Sequence, residues 1–155
     1  MEQKHVTIAV AGEKQQGKSA LTVSLSRIIS EKYGITQAVD YEKIANGTNL
    51  DVSCYTPDRY FHFADYSGDD SWIISLMRGG KADGIILVVR DINGISDRFD
   101  QYLMVIKDLG IENVFVFINT EYSQHDDELY ASLENAARQK IIGGGSCEEK
   151  FLDWR

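Results

Sequence analysis

The chain has 155 residues, 43% of them hydrophobic, which is room for one domain with a real core and not for two comfortable ones. Sixteen Lys and Arg against twenty-four Asp and Glu leave a net charge of −8. With no basic run or stripe to offset it, that charge argues against DNA, RNA and anionic membrane surfaces as partners.

The first ten residues, MEQKHVTIAV, enter a strand almost at once and leave no room for a signal peptide. Residues 5–11, HVTIAVA, are apolar and β-branched, the pattern of a buried strand. The stretch GEKQQGKSAL, Gly12 to Leu21, follows directly. Lys18 to Tyr33 then carries helical spacing, with Leu21, Leu25, Ile28 and Ile29 on one face and Gly34 as the stop. Residues 35–50 have weak periodicity and read as a loop. VSCYT, Pro57-Asp58 and RYFHFAD form a hairpin signal around the only proline in the chain.

DDSWIISLMR predicts a short helix, with Trp72 packed in the core. GIILVV is a continuous buried strand. Asp97 to Leu109 is an amphipathic helix stopped by Gly110. NVFVFIN is another buried strand and Asp126 to Lys140 the next helix, after which a short IIG and an acidic tail finish the chain. The longest apolar runs, IILVV and VFVFI, are strand-length and fall well short of the roughly 20 residues of a membrane helix. Cys54 and Cys147 are isolated and lack metal-ligand spacing, so both are expected as reduced thiols in a cytoplasmic protein.

Strands alternating with helices predict an α/β fold: a mostly parallel sheet with one antiparallel edge strand and helices on both faces. Ligands in such sheets sit at the carboxyl ends of the strands. The octapeptide Gly12-Glu13-Lys14-Gln15-Gln16-Gly17-Lys18-Ser19 sits at the first such end and matches G-x-x-x-x-G-K-[ST], the P-loop pattern. Its glycines let the backbone curl around phosphate, so that successive N–H groups point inward and the helix N-terminus, with Ala20 in its first turn, adds its positive end. Lys18 is expected to reach the β- and γ-phosphates and the Ser19 hydroxyl to bind Mg²⁺.

From His5 to about Glu128 the sequence resembles the translational GTPases, in particular the G domain of elongation factor Tu. KHVTIAVAGEKQQGKSALTVSLSRIISEKYG is similar to that family's first strand, P-loop and first helix without a gap. DYSGDDSWIISLM is similar to its second switch. DGIILVVRDINGISDRFDQYLMVIKDLGIENVFVFIN is similar to its fourth through fifth strands. The resemblance implies a single G domain of P-loop NTPase fold over residues 1–155, short at its C-terminus. It also implies GTP or GDP with Mg²⁺ as ligands. Asp65-Tyr66-Ser67-Gly68 stands for the family's D-x-x-G, which gives Asp65 a water-mediated hold on Mg²⁺ and the Gly68 N–H a bond to the γ-phosphate. Thr48 is the residue matched to the first switch's Mg²⁺ ligand.

The departures from the family are as informative. Asp69 stands where the family has the histidine that orients the attacking water; a carboxylate there cannot donate to a phosphoryl oxygen and puts negative charge beside the γ-phosphate. The base-reading motif N-K-x-D reads Asn119-Thr120-Glu121-Tyr122, so the lysine is Thr120 and the acceptor aspartate is Tyr122, which could stack on a base instead. Ser146-Cys147 is the counterpart of the late S-A motif. Gln15 replaces a P-loop aspartate. The two β-barrel domains with which elongation factor Tu grips tRNA have no counterpart here, which sets the expectation against a tRNA carrier.

Three readings follow. The first is a GTP-binding domain with slow or partner-dependent hydrolysis, whose nucleotide state an unidentified protein partner reads. The second is a pseudo-GTPase that serves as a protein-binding module or elongation factor Tu mimic. The third is a P-loop ATPase with altered base preference.

Overall fold

The computed structural model describes residues 4–33, 50–66, 70–90, 94–120 and 126–143. Thr48, Gly68, Asp69, Tyr122, Ser146 and Cys147 lie outside them. The described residues form five strands and four helices. They are β1 (Lys4–Ala11), α1 (Lys18–Tyr33), β2 (Leu50–Tyr55), β3 (Arg59–Asp65), α2 (Ser71–Met77), β4 (Gly84–Arg90), α3 (Asp97–Asp108), β5 (Asn113–Asn119) and α4 (Asp127–Gly143).

The sheet runs β2-β3-β1-β4-β5. Every pairing is parallel except β2 with β3, which is the hairpin around Pro57. Thr56 closes that turn: its N–H donates to the Arg59 carbonyl at 2.8 Å and its Oγ1 donates to Asp58 Oδ1 at 2.9 Å. The expected single antiparallel edge strand is β2.

Alternation along the strands divides the core into two layers. Val10, Ile86 and Val88 face α1 and pack with Leu21, Val52, Cys54 and Phe63. Ala9, Ala11, Ile85, Leu87 and Val89 face the other way and pack beneath α2, α3 and α4. Trp72 is 1% exposed and meets the Tyr102 ring edge-on, with centroids 5.3 Å apart, as its expected core role requires. Cys54 is a buried free thiol whose pKa burial pushes up to about 11. Among the described residues no helix is long and apolar enough to cross a membrane.

Two helices differ from expectation. In α1, Ile28 is 45% exposed, and the buried positions beside Leu21 are Thr22, Val23 and Ser26. The two hydroxyls can be buried because each bonds a carbonyl of its own helix, Thr22 Oγ1 to Lys18 at 2.9 Å and Ser26 Oγ to Val23 at 2.8 Å. In α4, residues Ile141 to Gly143 continue the helix instead of forming a separate segment, and Ile141 is buried against the α3 layer. Asp126 caps that helix, its Oδ1 accepting the Leu129 N–H at 2.9 Å.

The carboxyl ends of β1, β3, β4 and β5 all point to one edge of the sheet. β1 sends α1 to one face, whereas α2 and α3, which follow its neighbours β3 and β4, pack on the other. A crevice opens where connections diverge in this way.

Candidate functional site

The loop between β1 and α1 is shaped by three residues with positive φ: Gly12 at +148°, Gln15 at +60° and Gly17 at +95°. A Cβ on Gly12 would lie 2.6 Å from the Val88 carbonyl oxygen, and one on Gly17 would lie 2.5 Å from Asn119 Nδ2. Gly12 is therefore required by close approach of the loop to the β4 backbone, and Gly17 by its positive φ. Gln15 has a side chain and still adopts the left-handed region, at a cost of roughly 1–2 kcal/mol that its surroundings must offset.

Lys18 opens α1 and is buried. Its Nζ donates to the Gly12 carbonyl at 2.8 Å and the Glu13 carbonyl at 3.1 Å, which places the ammonium inside the curve of the loop. Next to it, Ser19 Oγ donates to Asp65 Oδ2 at 2.6 Å. Asp65, at the end of β3, is 3% exposed. Burial raises its carboxyl pKa, opposed by the Ser19 bond and the nearby Lys18 charge.

A buried carboxylate against a hydroxyl offers hard oxygen donors that fit a divalent cation. Magnesium takes one or two protein oxygens and fills its octahedron with phosphate oxygens and water. Ser19 and Asp65 would hold it, and the ion would supply charge to neutralise phosphate.

The other loop residues serve different ends. Gln16 is buried, and its Oε1 accepts the backbone N–H of Arg90 at 2.5 Å. Glu13 accepts a short hydrogen bond from Ser96 Oγ, which ties the loop to the start of α3. Lys14 and Ala20 are exposed. Asn119 Nδ2 donates to the Gln16 carbonyl at 3.2 Å, so this side chain braces the loop; Thr120 follows it, half-buried. A cavity of about 290 Å³ opens beside them, lined by Gly17, Ala20, Leu21, Ser24, Phe117 and Asn119. It is apolar along α1 and polar at Asn119.

The geometry thus gathers Gly12, Glu13, Gln16, Gly17, Lys18, Ser19, Asp65 and Asn119 at one edge of the sheet. The family model described as the elongation factor Tu GTP binding domain matches residues 3–141. The chain belongs to this family. It is a GTP-binding domain of the translational GTPase type, and in this elongation factor Tu-like domain Asn119 braces the P-loop.

Arg90 and Ser96 reach the site without having been singled out in the sequence. Arg90 was visible as a charge ending an apolar strand. Its target, 75 residues away, emerges only when β4 is laid beside β1.

Proposed function

We propose that this domain binds GTP and GDP with Mg²⁺, and that it hydrolyses GTP slowly or only with a partner protein. The observation that carries the reading is the assembled Lys18–Ser19–Asp65 corner: an ammonium inside the loop and a hydroxyl 2.6 Å from a buried carboxylate. Lys18 and the loop N–H groups take the phosphates. Ser19 and Asp65, with Thr48 from the first switch, take the ion. Gly68 senses the γ-phosphate. The nucleotide state would then be read through residues 35–50 and 66–75 by a protein partner in the cytoplasm.

The base is expected at the Asn119 end beside Thr120; Tyr122 and Ser146-Cys147, matched to base contacts by the resemblance, lie outside the described residues. Sites that hydrogen-bond their ligand can discriminate by about 10⁴–10⁵ against one lacking the matching groups. With Tyr122 in place of the two-acceptor aspartate, the preference for GTP over ATP is expected to be about tenfold or less. Calorimetric titration with GTP, GDP, ATP and ADP in Mg²⁺ tests this. Binding of no nucleotide would sink the proposal and leave the fold as a scaffold.

Asp69 favours the second reading, a catalytically dead pseudo-GTPase that serves as a protein-binding module or elongation factor Tu mimic. A carboxylate at this motif position would oppose the γ-phosphate, so Asp69→His is expected to raise single-turnover GTP hydrolysis about 100-fold, the lower end of the range for a positioned acid–base group. An unchanged or lower rate would remove Asp69 as the cause of slow turnover.

A further inference from the structure

Arg90 and Asn119 are register partners at the carboxyl ends of β4 and β5. Both side chains reach the crown of the P-loop and take consecutive carbonyls: Arg90 Nη1 donates to Gln15 at 3.2 Å and Asn119 Nδ2 donates to Gln16 at 3.2 Å. The Gln15 carbonyl belongs to the one non-glycine residue with positive φ among the described residues. The Arg90 backbone N–H adds a third link, to the buried Gln16 side chain.

We propose that Arg90 is a positioning residue of the nucleotide site: its guanidinium and the Asn119 amide form a two-donor clamp that holds the loop crown in its strained, phosphate-ready shape. The residue after Asn119 is the neutral Thr120, so the cation at this corner comes from the neighbouring strand. The Arg90 bond carries a formal charge at the exposed side of the loop, and the neutral Asn119 bond beside it is part-buried. A planar guanidinium also keeps its donor direction with little loss of freedom. The part of this inference that concerns nucleotide rests on the GTP reading above; the clamp itself is a property of the protein alone.

The clamp is tested first without nucleotide, by millisecond amide hydrogen exchange in wild type, Arg90→Met, Arg90→Lys and the double variant Arg90→Met/Thr120→Lys. The methionine keeps the stem and the backbone link to Gln16 and removes only the guanidinium. Exchange of the amides of residues 13–17 is expected to rise about fivefold in Arg90→Met, with β4 and β5 amides unchanged. Arg90→Lys and the double variant are expected to restore most of the protection. GTP affinity is expected to fall about fivefold in Arg90→Met and to recover with either lysine.

Unchanged loop exchange in Arg90→Met would overturn the clamp, as would an equal rise across β4 and β5, which signals general loosening. A double variant that recovers nothing would overturn the claim that Arg90 stands in for a cation at position 120. If wild type bound no GTP, the exchange data would still decide the clamp, while the GTP reading would fall separately.

Discussion

Lys18→Ala is expected to weaken GTP binding by at least about 100-fold in calorimetric titration with Mg²⁺. A hydrogen bond to a charged group contributes about 1.5–3 kcal/mol, and the Lys18 ammonium brings its full positive charge to the β- and γ-phosphates. Its second role is internal. The Nζ already donates to the carbonyls of Gly12 and Glu13, so the alanine also leaves two loop oxygens without their partner. Those oxygens would face the incoming phosphate as bare acceptors, turning an attractive loop into a partly repulsive one. Lys18→Arg keeps the charge but has to fit a broad planar head into a curve shaped for a point charge, and is expected to lose most of the affinity as well. Retention of GTP binding within tenfold by Lys18→Ala would show that the loop is not the phosphate site.

Much of this site was legible in the sequence because its rules are local. The P-loop spacing, the strand before it and the helix after it occupy 30 consecutive residues, and β1, the loop and α1 follow that pattern. The hairpin was equally local, since Thr56, Pro57 and Asp58 close their own turn. Ser19 and Asp65 are 46 residues apart, yet the family resemblance grouped them at one site, and their side chains meet at 2.6 Å.

The less legible features depend on tertiary contact. The buried stripe of α1 shifted from Ile28 to Thr22 and Ser26 because these small hydroxyls can satisfy themselves within the helix, which hydrophobic periodicity does not register. The segment Ile141 to Gly143 joined α4 because Ile141 finds a place in the α3 layer. Gln16 is expected from the motif to offer its backbone N–H to phosphate, and the motif says nothing of its side chain, which turns inward to Arg90. That choice is set by the approach of β4 and cannot be seen in the octapeptide.

Asp65→Asn is expected to move stability and ligand binding in opposite directions. In the nucleotide-free domain the Asp65 carboxyl is buried, and its pKa is raised above the unfolded value. Between those two pKa values the folded state binds more protons than the unfolded state, so stability falls as pH rises through that window. Above the window the full penalty of a buried charge remains. Asparagine removes the charge and keeps an oxygen to accept the Ser19 hydroxyl. The variant should therefore melt higher than wild type at neutral pH without nucleotide. A gain of about 1 kcal/mol corresponds to roughly 2–4 °C in a domain of this size. The gain should shrink as the pH falls towards the ordinary carboxylate range, where wild type is protonated too. With Mg²⁺ and GTP the order reverses. The neutral amide cannot offset the ion's charge, and affinity is expected to drop about 10–100-fold, the usual effect of removing a carboxylate that orients a metal's ligands. A variant that melts lower at neutral pH and binds Mg²⁺ and GTP as wild type does would mean that Asp65 is a structural hydrogen-bond acceptor for Ser19 and not part of a metal site.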